Sequence, residues 1–420
     1  MNNILNATQI WINKYDRQIV LAVCLVVLLA GIIYSFSQGN TLKFPDEKDH
    51  VTLARNLAED FTYTLDGRIP TAYRPPGYPL VLAALSLLGM DIVSFRILNF
   101  VLLGLSMFLL FTIVKKIHNS VSGVLSVFIV LAYVVLFYTA GILVPQTLGA
   151  FFLLLTLQLM IPKKLMTLRR SFLVGIITGV HILAIPSSTF LIIPFSGWLI
   201  WKNRFSTGVS LISCFIVGII IIITPWSFRN YQVFDSFVYV STNSGLNLLL
   251  GNNENATAES GAFVDIDRYR TMAMGMNEAR TDSLFSKSAI KYITENKIHS
   301  TKMYFLKFLN HFGFNNQFAA IQYNTQNYEI LMMLSYGFIL ILLIIRLVLQ
   351  KKFPLLPEEV LFLLIYLSSA FFFSIFFTRI RFRLPFDYLI IGIVAMFITN
   401  VWQKGLKIVR STASLNESHT

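Results

Sequence analysis

IVLAVCLVVLLAGIIYSFS, residues 19–37, is an apolar run without a single charge. About 20 such residues suffice to cross the hydrocarbon core of a bilayer, so this run is long enough to span it. Lys14 and Arg17 precede it, as in a secretory leader, but the run is long and lacks a small-x-small cleavage site. It therefore reads as an uncleaved first span with its amino end in the cytoplasm. Similar runs recur at 96–114, 120–138, 147–162, 171–184, 187–201, 208–225, 330–349, 358–377 and 386–402, which makes ten spans and places both chain ends inside. The segment 79–89 is too short to cross and suits an outer-face or re-entrant helix. Pro186 splits 171–201 into two helices, because a proline both lacks a donor and clashes with the preceding turn.

Composition agrees with a chain dissolved in lipid. Of 420 residues, 55% are hydrophobic and 13% charged, with a mean hydropathy of +0.66. A soluble core could not hide so many aliphatic and aromatic side chains. The net charge of +13 is spread in short groups beside the apolar runs, not gathered in one stripe, which speaks for membrane orientation and against nucleic acid. Lys115–Lys116, Lys163–Lys164, Arg169–Arg170, Lys202 with Arg204, and Lys351–Lys352 all fall in loops that the ten-span topology puts in the cytoplasm, as the positive-inside rule requires. Cys24 and Cys214 lie inside apolar runs and read as small hydrophobes.

Two outer segments are long, 38–95 and 226–329. The first carries FPDEKDHVTLARNLAEDFTYTLDGRIPTAYRPPGYP, residues 44–79, where ionisable groups crowd the membrane edge. If 46–58 is helical, Asp46, Asp49 and His50 share a face and Glu47 points elsewhere. Pro45 suits a helix start, and an Asp-Glu pair there also serves as a plain complement to the helix dipole. In TAYRPPGYP the prolines stiffen a turn that presents Arg74, Tyr73 and Tyr78, a cation for a phosphate and rings for a sugar face. Asp46, Glu47 and Asp49 could also ligate a divalent ion.

The second outer segment opens with TPWSFRNYQVFDSFVYVSTNSGLNLLLGNN, residues 224–253, where Arg229, Asn230 and Asn252 offer hydrogen bonds to a polyhydroxylated ligand. Residues 277–309 have helical periodicity and suit a helix along the membrane surface. Near the end, TRIRFRLPFD, residues 378–387, alternates Arg379, Arg381 and Arg383, which in an extended segment would all face one way and clamp an anion.

The order Asp-Glu, RPPGYP, PWSFRNY with STNSGLNLLLGNN, then RFRLP resembles the bacterial members of glycosyltransferase family 39, within the GT-C superfamily. The resemblance implies an all-α polytopic membrane protein: a GT-C type bundle of about ten transmembrane helices over 1–402, two outer loops carrying short surface helices, and a cytoplasmic tail over 403–420. It also implies an inverting transferase that takes one sugar from a polyprenyl-phosphate donor to a lipid, glycan or protein acceptor at the outer face of the cell membrane. On that template Asp46 is the general base, Glu47 its acidic partner, and Arg74, Arg381 and Arg383 bind phosphate; Tyr78, Arg229, Asn230, Asn252 and Arg379, read from the residues themselves, complete the candidate substrate set. The sequence departs from the family pattern at Gln146, where relatives often carry an acid. A lipid-linked oligosaccharide flippase would instead need charges near the bilayer midplane, and a polysaccharide polymerase or ligase would use diphosphate-linked glycans.

Overall fold

The computed structural model describes residues 2–161, 165–258, 261, 264–314 and 330–417, with side chains from residue 10 to residue 405. Lys163, Lys164 and the charges beyond residue 405 therefore lie outside the described side chains. The described chain is helical, with one isolated bridge between Thr64 and Pro70. In order the helices are α1 Asn2–Gln38, α2 Pro45–Asp60, α3 Gly77–Ser86, α4 Ile92–Ile117, α5 Ser120–Ala132, α6 Val134–Ala140, α7 Gln146–Met160 and α8 Leu168–Ala184. They continue with α9 Ile192–Trp201, α10 Phe205–Phe234, α11 Ser244–Gly251, α12 Asp267–Met272, α13 Glu278–Glu295, α14 Lys297–His311, α15 Ile330–Lys351, α16 Pro357–Ile375 and α17 Ile380–Glu417.

Each apolar run named above forms a helix. By length and composition, α1, α4, α10, α15, α16 and α17 can each cross a membrane among the described residues, and α5 with α6 makes a seventh span bent by 68°. The runs 147–162, 171–184 and 187–201 give α7, α8 and α9, which are shorter. The most hydrophobic stretch of α17 is 83% buried and that of α1 only 22%, so α17 stands at the centre of the bundle and α1 at its periphery. Short α3 stays at one end, packed on α2 and α8.

The break at Pro186 is a reversal of direction. Helices α8 and α10 run parallel: Ser171 Oγ donates to Leu211 O, Gly175 lies against Phe215 and Gly218, and Gly179 against Ile219 and Ile222. Glycine on both sides lets the two backbones touch, the usual way helices associate where lipid provides no hydrophobic drive. A 3-10 turn at Pro186–Leu191 and α9 bring the chain back between them, and α9 ends where Gly208 of α10 meets Ile200.

One end of the bundle gathers the basic loops. There Lys115 pairs with Asp16, His118 Nε2 bonds Asn400, Lys202 pairs with Glu358 at 3.2 Å, Arg346 with Glu359 at 2.8 Å, and Lys404 donates to Lys352 O. Among the described residues, the segments at Asp16, Lys115, Lys202, Lys352 and Asn400, which sequence assigns to one side of the membrane, thus lie together. At the opposite end, α11, α12 and α13 form a small lobe around Leu249, Ile266, Phe285 and Ala289. Residues 277–309 make two helices, broken at Asn296, and the second packs on α16.

Candidate functional site

At the lobe end, Pro45 occupies the first turn of α2, with Asp46 and Glu47 beside it. Asp46 and Asp49, three residues apart, point to the same side and meet the RPPGYP turn. Arg74 Nη2 lies 2.6 Å from Asp46 Oδ1 and 2.7 Å from Asp49 Oδ2, and its Nε donates to Asp49 Oδ2 at 2.9 Å. The other Asp46 oxygen takes Arg381 Nη1 at 2.5 Å. Three segments far apart in sequence thereby share one carboxylate. The groups are half-buried, with side-chain exposures of 22% for Asp46, 16% for Arg74 and 12% for Arg381, so the cluster still opens outward.

Burial alone would raise the Asp46 carboxyl, but the guanidiniums of Arg381 and Arg74 outweigh it and hold it well below the usual carboxylate range. Burial lowers Arg74, but Asp46, Tyr73 and Asp49 together outweigh it and raise it above the ordinary arginine value, so it stays charged; its guanidinium lies 4.9 Å from the Tyr73 ring. Behind it His50 is buried edge-on to Tyr78, and burial with the Arg74 charge pushes its imidazole down to about 3, leaving it neutral. Arg379, just before α17, is buried beside Phe377, and burial and then Arg381 lower it from the ordinary arginine value.

The turn that carries Arg74 is fixed from two sides. Tyr63 OH donates to Arg74 O and Pro75 O, while both oxygens of Glu278 on α13 accept from Thr71 and Ala72, and Thr242 donates to the same carboxylate. Gly77 sits so close to α8 that a Cβ would come within 2.4 Å of Ala184 N, the close approach that only glycine permits. Nothing in the sequence marks Glu278, one carboxylate on a charged helix, as the anchor of this turn.

The structure brings together Asp46, Arg74 and Arg381, with Arg379 alongside; six other candidates serve the framework. Glu47 is 1% exposed and accepts from three backbone amides: Lys43 and Phe44 on one oxygen, Leu143 on the other. That occupies it as a capping carboxylate and ties α2 to the loop before α7. Tyr78 is fully buried against Asn99. Arg229 donates to Thr71 O and stacks on Trp226, Asn230 donates to Val238 O and Val240 O, and Asn252 donates to Leu248 O and Ile375 O. The extended reading of 379–383 is corrected: α17 begins at Ile380, so alternate residues diverge around its axis instead of aligning. Arg383 consequently turns into the bundle, over the Tyr336 ring, and donates to His311 O and Gly313 O beside Asp387.

Among the described residues no group of three or more His, Cys, Asp or Glu side chains is placed to hold a metal ion. Asp46, Glu47 and Asp49 are not grouped to hold one: guanidiniums take both Asp46 oxygens and Asp49 Oδ2, and backbone amides take both Glu47 oxygens.

A family model described as dolichyl-phosphate-mannose-protein mannosyltransferase matches residues 73–228, and this bears out the resemblance to GT-C membrane glycosyltransferases read from the motifs. The matched stretch starts at the RPPGYP turn and closes within PWSFRNY. Among solved structures, the chain is similar to ArnT from Cupriavidus metallidurans bound to undecaprenyl phosphate, at 14% identity and a TM-score of 0.42 over 90% of this chain and 76% of that one. The apo form of the same protein matches at 13% identity and a TM-score of 0.42, over 93% and 78%. No curated protein matches in sequence.

Proposed function

We propose that the protein is a membrane glycosyltransferase that moves one sugar from a polyprenyl-phosphate donor, with inversion, to a lipid, glycan or protein acceptor outside the cell membrane. The observation that carries this reading is the single carboxylate of Asp46 held between Arg74 and Arg381 at the lobe end of the bundle. The guanidiniums of Arg74 and Arg381 converge on that carboxylate, and such planar cations suit a lipid phosphate. The basic loops gather at the other end, which the positive-inside rule assigns to the cytoplasm, so the cluster faces outward.

The chemistry follows from these groups. Asp46 takes the acceptor's proton as its oxygen or nitrogen bonds the anomeric carbon. The bond from that carbon to the phosphate oxygen breaks, and the electron pair leaves on phosphate. A phosphate monoester departs already charged, so it needs cations to stabilise it and no acid to protonate it. Arg74 and Arg381 supply them. In the test, undecaprenyl phosphate is bound to the purified chain in nanodiscs. Arg381→Ala should weaken binding roughly ten- to a hundredfold, the worth of one charge-assisted hydrogen bond to phosphate. Unchanged binding would remove Arg381 from the phosphate site, and tighter binding of undecaprenyl diphosphate than of the monophosphate would favour a polymerase or ligase.

A further inference from the structure

Lys307 on α14 is a buried charge with no carboxylate partner among the described residues, and its placement bears on the arginines. It is 1% exposed, and its three N–H groups are all used: 3.1 Å to Gly251 O, 3.2 Å to Asn252 Oδ1 and 2.9 Å to Phe376 O. An ammonium taken out of water is costly unless its donors are satisfied, and a neutral donor could have bridged the same carbonyls at less cost. The acceptors explain the choice, for Gly251 O ends α11 and Phe376 O follows the last turn of α16, the negative ends of two helices.

The connector from α16 to α17, residues 376–379, then runs along α14. Asn310 Nδ2 donates to Thr378 Oγ1 at 3.0 Å, and Arg383 donates to His311 O at 2.7 Å. Arg379 and Arg381 lie between these anchors, and Arg381 reaches Asp46. At Gly251 there is no slack, since a Cβ would stand 1.7 Å from Phe376 O.

We infer that Lys307 is a positioning residue for the lipid-phosphate site: its ammonium pins the α16–α17 connector to α11 and so fixes where Arg379 and Arg381 point. The inference rests on the transferase reading above. Burial pushes the Lys307 ammonium down to about 8. The groups that face it from α11 and from the connector are the Asn252 amide and the carbonyls of Gly251 and Phe376, none of which titrates; Asn310 and His311 follow it on α14, and His311 is turned to Ser369. Anion binding favours the charged form, so affinity holds below that value and falls as pH rises through it.

The experiment measures undecaprenyl phosphate binding to the full chain in nanodiscs from pH 7 to 9.5, where a phosphate monoester stays doubly charged, its second pKa being about 6. Wild type should lose about tenfold in affinity across the range, equivalent to about 1.4 kcal/mol. Lys307→Met should bind about tenfold more weakly at pH 7 and show no further fall, and Lys307→Arg, which stays charged, should bind as wild type at pH 7 and remain flat. A flat wild-type profile, or a step that persists in either variant, overturns the inference. Arg381→Ala separates the two levels: if it too leaves binding unchanged, the transferase reading fails, and if it alone weakens binding, only the role of Lys307 does.

Discussion

Asp46 is hemmed in by the cations that the donor would need. With one guanidinium on each oxygen, it is a weak base in this arrangement, and under the proposed reading it becomes a stronger one when phosphate draws the arginines away. Burial remains after they leave, and burial raises a carboxyl. On the proposed function, carboxylate and phosphate would compete for the same donors. Asp46→Asn should abolish sugar transfer while tightening undecaprenyl phosphate binding roughly two- to fivefold, about the worth of one partly exposed ion pair. Weaker binding in that variant would show that the carboxylate supports the phosphate site instead of opposing it. Asp46, Arg74 and Arg381 were legible in the sequence because charges at a membrane edge are rare and demand partners. That Glu47, Arg229, Asn230 and Asn252 bond backbone groups was not legible, because a polar side chain that satisfies a backbone carbonyl or amide looks, in sequence, the same as one awaiting a ligand.

At the level of elements, the helices were readable wherever apolar length decided them, and the split at Pro186 was readable from the lost donor. What the pattern could not show is that α17 starts at Ile380, ahead of Pro385; alternating arginines suggested a strand, and a helix sends Arg381 and Arg383 to different partners. Nor did hydrophobicity reveal which faces touch. The parallel pairing of α8 with α10 depends on Gly175, whose added Cβ would stand 2.1 Å from Phe215 O, whereas Gly197 has open space. Gly175→Leu should lower stability by about 2 kcal/mol or more, typical of overpacking, and Gly197→Leu should have little effect. Thermal unfolding of the two variants in detergent checks the contrast; equal melting temperatures would deny that contact its role.

For the whole molecule, the structure separates two ends: basic loops closed by the Lys115–Asp16, Lys202–Glu358 and Arg346–Glu359 pairs, and a lobe end where α2, the RPPGYP turn and the α16–α17 connector converge. The sequence pattern already implied that division, because charge asymmetry between loops is a property of the chain alone. Convergence on one carboxylate is a property of the folded bundle, in which central α17 delivers Arg381 to a helix near the start of the chain. A cryo-EM map of the full chain with undecaprenyl phosphate tests this most directly. The account predicts the phosphate within about 3 Å of both Arg74 and Arg381, the usual hydrogen-bond reach, with Asp46 released from at least one of them. A phosphate bound elsewhere, with the Asp46–Arg381 pair intact, would contradict it.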